Sequence, residues 1–225
     1  MIRVLVVEDQ VLIRGGLVAL IKTAPELSVV GDASDGEQAV ELAASTNPDV
    51  VLMDLRMPGV DGIEATRRIL AAAGETPPRV LVLTTYDHDE YVYRALLAGA
   101  SGYLLKDTTP ERLLNAITTV AYGGMLFDPT VVRSLIDAYA PTPSQNPAQL
   151  RTLTSRETEI LRLIAHGLSN GDISDRLEIT DATVKTHVNR VLAKLGLASR
   201  AEAVILAYEA GLVVPRRSRG EAPDA

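Results

Sequence analysis

Four polar features of the chain each follow directly on a short apolar run: Glu8-Asp9 after Ile2–Val7, Asp54 after Val50–Met53, Thr84 after Val80–Leu83, and Lys106 after Gly102–Leu105. An apolar run bounded by turn residues reads as a strand buried on both faces of a parallel sheet. In such sheets chemistry gathers at the carboxyl ends of the strands. Taken singly, each feature has an ordinary structural explanation: Asp9 as a helix cap, Asp54 and Thr84 as turn formers, Lys106 as a solvated charge. Four such residues on one rim of one sheet point instead to a site. Glu8, Asp9 and Asp54 would converge as carboxylates whose repulsion calls for a cation, and hard oxygen ligands with room for water suit Mg2+. A carboxylate so placed can attack phosphorus and form an aspartyl-phosphate. The Lys106 ammonium and the Thr84 hydroxyl would then serve the phosphoryl oxygens.

The elements that must position these residues follow from the hydrophobic pattern. Strands are expected over 2–7, 27–30, 49–54, 79–84 and 102–105, and helices over about 10–23, 34–44, 61–73 and 88–97. Val11, Leu12, Leu17, Leu20 and Ile21 give the first helix its apolar period, and Arg67-Arg68 face solvent on the third. A final helix begins at Pro110, capped by Thr109. Five strand-helix alternations in about 125 residues specify an α/β, doubly wound parallel sheet.

Net charge is −7, with 47% hydrophobic and 23% charged residues, ordinary for a soluble globular chain. The absence of cysteine excludes disulfides, thiolate catalysis and cysteine metal sites. The first apolar run is too short for a signal-peptide core, and no stretch approaches a membrane span, so a cytoplasmic protein with no membrane partner is expected. Charge is unevenly spread: residues 1–125 hold 10 basic and 17 acidic groups, whereas residues 151–225 hold 11 and 10. An acidic first part and a near-neutral last part indicate two modules with different partners.

The first module resembles a response-regulator receiver domain of the CheY-like kind. The resemblance rests on Glu8-Asp9, Met53-Asp54 followed by Met57-Pro58, Leu83-Thr84, and Ala98-Gly99-Ala100-Ser101-Gly102-Tyr103-Leu104-Leu105-Lys106, with every spacing kept. It implies a flavodoxin-like (βα)5 fold and phosphorylation of Asp54 by a sensor histidine kinase. It further implies Mg2+ held by Glu8, Asp9, Asp54 and the backbone carbonyl of Arg56, with Thr84, Lys106 and Tyr103 coupling the phosphoryl group to the surface. By spacing alone, Tyr103 reads as a half-buried aromatic on an edge strand. Asp107 stands where many receivers carry proline, and Arg56 and Tyr86 lie where relatives tune dephosphorylation. A haloacid-dehalogenase-like phosphatase also uses a nucleophilic aspartate and Mg2+, but expects a second aspartate where this chain has Arg56. A regulator whose receiver answers to partner binding rather than phosphate is a further alternative, against which the intact acidic pair, Thr84 and Lys106 weigh.

Gly123-Gly124 closes the first module, placed at 1–124. A connector over 125–150 holds a short amphipathic segment with Val131, Val132, Leu135 and Ile136 as its apolar face. A linker with three prolines, Pro141, Pro143 and Pro147, follows it. The second module, 151–214, reads as four short helices. Thr154-Ser155-Arg156-Glu157 is a capping box, Ser169 and Thr180 cap the next two helices, and Gly167 and Gly196 are stops. On the third of these, Val184, Val188, Val191, Leu192 and Leu195 form the apolar stripe, and Lys185, Thr186 and Asn189 project opposite it. Such a face suits the DNA major groove, with lysine to guanine or phosphate and asparagine to adenine. Lys185, Arg190, Lys194 and Arg200 against Asp181 make this region locally basic, although the charges alone are better explained by a solvated helix face.

Leu153-Thr154-Ser155-Arg156-Glu157, Gly167-Leu168-Ser169-Asn170, Thr183-Val184-Lys185-Thr186-His187 and Ala193-Lys194-Leu195-Gly196 resemble the LuxR-type helix-turn-helix. Joined to a receiver, this resembles the NarL/FixJ family of response regulators. The resemblance implies a transcriptional regulator rather than an enzyme. Its DNA contacts would come from Thr183, Lys185, Thr186, His187, Asn189, Arg190 and Lys194. Its partners would be a sensor histidine kinase, double-stranded promoter DNA and, when phosphorylated, a second copy of the chain. RNA polymerase stays open as a further partner. Phosphorylation is expected to favour dimerisation and to free the third helix of the output module. Gly171-Asp172 and Ser174 depart from the family pattern, and glycine in the first turn weakens that helix by up to ~1 kcal/mol. The tail, 215–225, carries Arg216, Arg217 and Arg219 and is expected to be disordered.

Overall fold

The computed structural model describes residues 1–74, 76–85, 89–127, 149–197 and 199–213. The connector's apolar segment, its prolines and the arginine-bearing tail lie outside the described residues.

Strands β1 (Ile2–Val7), β2 (Leu27–Ala33), β3 (Val50–Met53), β4 (Arg79–Thr84) and β5 (Gly102–Leu105) form one parallel sheet in the order β2-β1-β3-β4-β5. Val7 pairs with Met53, Met53 with Val82, and Thr84 with Leu105. The alternation hidden inside each continuous apolar run is resolved by the two faces. Val4, Val6, Val50, Leu52, Leu81 and Leu83 pack with Ile21, Ile117 and Val120 from helices α1 (Val11–Ile21) and α5 (Pro110–Ala121). Leu5, Val7, Val51 and Met53 pack with Ala39, Ala43, Ala65 and Ile69 from α2 (Gly36–Thr46) and α3 (Gly62–Ala72). Strand order reverses between β1 and β3, and it is outside the carboxyl ends of strands at such a switch point that sheets of this kind form their sites.

Three segments differ from the pattern-based expectation. β2 runs on to Ala33, because β1 carries its pairing that far. The helix expected from Ser34 starts two residues later, where Asp35 accepts the Gln38 amide at 2.9 Å as a cap. In α1, Val11 and Leu12 are 71% and 91% exposed, although the apolar period includes them. That first turn stands at the carboxyl rim of the sheet, beyond the strands that Leu17, Leu20 and Ile21 cover.

The second module is all-helical: α6 (Ser155–Ala165), α7 (Asn170–Leu177), α8 (Asp181–Leu195) and α9 (Arg200–Glu209), with a 3-10 turn at Gln149–Thr152. Thr154 and Ser169 both form complete capping boxes, the second with Asp172, so the residue that departs from the family pattern supplies the cap. Ser174 donates to the Ile179 carbonyl at 2.5 Å and ties the turn before α8 back to α7.

α9 packs against α4 (Asp89–Leu97), and one apolar cluster joins Val92, Tyr93 and Leu96 of the first module to Ile160, Ile164 and Val204 of the second. A side chain at Gly99, whose φ is +98°, would meet Ser199 at 3.2 Å. The Gly99–Ser199 approach lies at the amino end of β5, and the same apolar cluster extends along α4 to Leu55 and Ile63. Among the described residues no helix is long and apolar enough to cross a membrane.

Candidate functional site

The sheet brings four separate segments together at its carboxyl rim. The Glu8 amide donates to the Ala33 carbonyl at 3.0 Å and the Asp54 amide to the Val7 carbonyl at 3.0 Å, so both ladders continue one residue past their strands. The Lys106 amide reaches the Thr84 carbonyl at 2.9 Å in the same way. Backbone pairing thus aims Glu8, Asp54 and Lys106 into one crevice. The Lys106 Nζ stands 2.6 Å from Glu8 Oε2 and 2.8 Å from Asp54 Oδ2. The Arg56 amide approaches the other carboxylate oxygen of Asp54 at 3.4 Å.

The turn after Asp54 depends on two glycines. Gly59 takes a φ of +76°, which a side chain would oppose. Gly62 donates to the Leu55 carbonyl at 2.9 Å, and a Cβ there would lie 2.0 Å from the Asp54 carbonyl oxygen. This contact draws the start of α3 against the phosphoacceptor candidate. Asp61 caps that helix through the Glu64 amide at 2.8 Å.

The electrostatics are those of a buried acidic site with one cation. Glu8 and Asp54 are 1% and 4% exposed. Burial pushes the Glu8 carboxyl above its ordinary range, against the pull of the Lys106 hydrogen bond. Burial alone would lower the Lys106 pKa, but its hydrogen bonds to Asp54 and Glu8 outweigh that and raise it. Asp9 Oδ1 is buried without a hydrogen-bond partner. Glu8, Asp9 and Asp54 each offer an oxygen within 4.8 Å of the others. Three carboxylates against one ammonium leave two negative charges, and the orphaned Asp9 oxygen lacks a donor. Hard oxygen ligands with that charge fit a divalent cation of the Mg2+ type.

The remaining candidates of the first module occupy distinct places. Thr84 is buried at the end of β4, and Tyr103 is half-buried on the edge strand β5. The Arg56 side chain donates to the Tyr91 hydroxyl at 3.1 Å, with its guanidinium 5.6 Å from the ring centre. Tyr86 lies outside the described residues. Sequence reasoning passed over Arg14, which donates to the Glu8 carbonyl at 2.7 Å and pairs with Asp32 at 3.0 Å. The available signal was that Arg14 is the only charged residue of α1.

On α8, Val184, Val188, Val191 and Leu192 are buried, while Thr183, Lys185, Thr186, Asn189 and Arg190 are exposed together. The Thr183 hydroxyl lies 2.8 Å from that of Thr180, and Thr186 donates to the Ala182 carbonyl at 3.0 Å. His187 is half-buried, and its Nδ1 is buried without a partner. Lys194 sends its ammonium to the buried carboxylate of Glu157 at 2.7 Å. That bond, joined by the Thr154 amide, holds the Glu157 pKa down at about 2. Arg200 is buried, donating to Asn170 Oδ1 at 2.8 Å and to the Leu168 carbonyl. Burial, with Arg79 of the first module nearby, pulls its pKa down to about 10. Two of the four cations counted towards a basic face therefore have internal partners. Among the described residues the first module meets the second through α4 and α9, while Thr183, Lys185, Thr186, Asn189 and Arg190 of α8 are exposed.

A flavodoxin-like sheet with three carboxylates, a threonine and a lysine at one rim, joined to a four-helix module with an exposed basic helix face, defines a response regulator with a receiver and an output domain. The family model for the response regulator receiver domain matches residues 4–118, and that for bacterial regulatory proteins of the luxR family matches residues 151–207. The chain is 41% identical to an uncharacterized transcriptional regulatory protein, YxjL, of Bacillus subtilis, over 94% of this chain and 97% of that one. It is 40% identical to the nitrate/nitrite response regulator protein NarL of Escherichia coli K12, over 92% of this chain and 94% of that one. Among solved structures it is similar to the response regulator ChrA of a heme-sensing two-component system, at 36% identity and a TM-score of 0.50, covering 94% and 98% of the two chains. A LuxR-family two-component response regulator from Aurantimonas sp. SI85-9A1 gives 34% identity and a TM-score of 0.55, over 63% of this chain and 99% of that one. The chain belongs to the NarL/FixJ family of two-component response regulators, with a LuxR-type DNA-binding domain that makes it a regulator of transcription.

Proposed function

We propose that the protein is switched by phosphorylation of Asp54 by a sensor histidine kinase in the cytoplasm, and that the phosphorylated form binds promoter DNA as a homodimer. The reading is carried by one observation: Lys106 spans Glu8 and Asp54 while an oxygen of neighbouring Asp9 is buried with no partner. In the transfer, an Asp54 carboxylate oxygen attacks phosphorus, the bond from phosphorus to the donor nitrogen breaks, and the imidazole leaves with the electron pair. A divalent cation held by Glu8, Asp9, Asp54 and the Arg56 carbonyl would neutralise charge on the equatorial oxygens. Lys106 orients the Asp54 carboxylate before transfer and pairs with a phosphoryl oxygen after it. Thr84 offers its hydroxyl to another, and Tyr103 on β5 passes the change to the surface.

On the output side, Lys185 and Asn189 read base edges, while Thr183, Thr186, His187 and Arg190 position α8 on the backbone. Lys194 reaches phosphate only by sharing its ammonium with Glu157. The phosphoryl group favours a receiver conformation that pairs two copies and frees α8, and the pair reads half-sites about one helical turn apart. Acetyl phosphate treatment followed by a phosphate-affinity gel tests the first step. A retarded band that depends on a divalent cation and vanishes in Asp54→Asn is expected, and unchanged labelling of that variant would sink the assignment.

A further inference from the structure

We infer that Arg14 is a positioning residue that builds the cation site from outside it. The inference rests on the reading of Glu8, Asp9 and Asp54 as a divalent-cation site. The loop carrying Glu8 and Asp9 is tied at its start, by the Glu8 amide to the Ala33 carbonyl and by the Glu8 carboxylate to Lys106, but weakly where it enters α1. Gln10, at the start of α1, makes no side-chain cap, and no acidic residue stands in the helix's first turn. Arg14, one turn in, folds its guanidinium back under the loop. Its Nη1 donates to the Glu8 carbonyl at 2.7 Å and approaches the Asp9 carbonyl at 3.5 Å. Its Nε pairs with Asp32 near the end of β2 at 3.0 Å. The Arg14 side chain is 17% exposed and Asp32 52%, so the clamp is anchored at the surface and acts inward. One planar group thus ties two consecutive carbonyls of the loop to the neighbouring strand, a task suited to the rigid fork of arginine.

Its charge is answered by Asp32 and its donors by carbonyls, so it does not neutralise the three carboxylates. The acidic site keeps its surplus for a cation while its two loop-borne members are held in place. Two physical accounts of Arg14 then predict opposite signs. As a bare positive charge near the site it would repel a cation, and removing it would tighten binding. As a clamp it pre-organises ligands, and losing such a partner of the ligating residues weakens metal affinity by about 10-fold to 100-fold.

The test is titration of the full chain with Mn2+, a hard divalent cation read directly by electron paramagnetic resonance, with amide hydrogen exchange of the metal-free protein alongside. Arg14→Met should raise the Mn2+ dissociation constant about tenfold and speed exchange at Glu8, Asp9 and Gln10. Arg14→Lys should recover part of both effects, because a single ammonium cannot span two carbonyls and Asp32. Asp32→Asn, at an exposed position, should fall between wild type and Arg14→Met and keeps the test open if Arg14→Met folds poorly. Mn2+ affinity equal to or tighter than wild type in Arg14→Met, with unchanged exchange, would overturn the inference. Should Asp9→Asn bind Mn2+ as well as wild type, it is the cation-site reading that fails, while the exchange result still decides whether Arg14 holds the loop.

Discussion

The Asp54 crevice and the polar face of α8 are built on opposite principles. In the crevice, Glu8 and Asp54 are withdrawn from water and held by Lys106, and the loop beside them is held by Arg14. On α8 the polar side chains stand in solvent, and the order lies beneath them in Val184, Val188 and Val191. A site that must move a phosphoryl group needs fixed charges in a low-dielectric setting before its substrate arrives. A surface that reads DNA can leave its side chains solvated, because the phosphates supply the opposing charge on contact. The same contrast explains the two uses of lysine: Lys106 is part of the buried cluster, whereas Lys185 is free to reach outward.

Substitutions beside the crevice should therefore act through its fixed geometry, and those on α8 through contacts made only with DNA. The largest effect is expected at Lys185. Lys185→Ala should weaken specific operator binding by roughly 1–3 kcal/mol, seen by footprinting, with labelling of Asp54 intact. Comparable but confined to stability is Gly62→Ala, which sets a methyl group against the Asp54 carbonyl. It should cost the receiver about 1–3 kcal/mol in denaturant unfolding and blunt phosphorylation, with the isolated DNA contacts unchanged. Arg190→Ala should lower affinity evenly across sequences and reduce the slope of binding against salt by about one, measurable by titration at several salt concentrations.

The smallest effect is a pH dependence beneath α8. Because Lys194 and Thr154 depress Glu157 in the folded state, its contribution is complete above the ordinary carboxyl value of 4.5. It is lost as pH falls towards about 2. Glu157→Gln should flatten the acid limb of output-domain unfolding followed by circular dichroism. An unchanged limb would remove Lys194 from its structural role and return it to the DNA face.

Much of this was legible in the residues. β1, β4 and β5 fall on the expected spans because each apolar run ends abruptly in a charge or a threonine. The caps at Thr109, Thr154, Ser169 and Thr180 were equally plain, since a capping residue acts on amides two or three positions away. What escaped depends on partners distant in sequence. Glu157 meets Lys194 across 37 positions and Arg200 meets Asn170 across 30, so charge counting took both cations for solvent-facing ones. Val11 and Leu12 fit the helical period but stand past the rim of the sheet, a fact of docking rather than of pattern. Arg14 escaped because two of its partners are backbone carbonyls, which leave no trace in a side-chain motif, and the third, Asp32, lies 18 positions away.

The central claim is that a phosphoryl group at Asp54 governs reading by α8. The direct measurement is selection of bound duplexes from random DNA by the full chain, followed by affinity for the selected site with and without acetyl phosphate. Phosphodonor should tighten binding of wild type as a dimer on paired half-sites and leave Asp54→Asn unmoved. Equal affinity in both conditions for wild type, or an equal gain in Asp54→Asn, would contradict it.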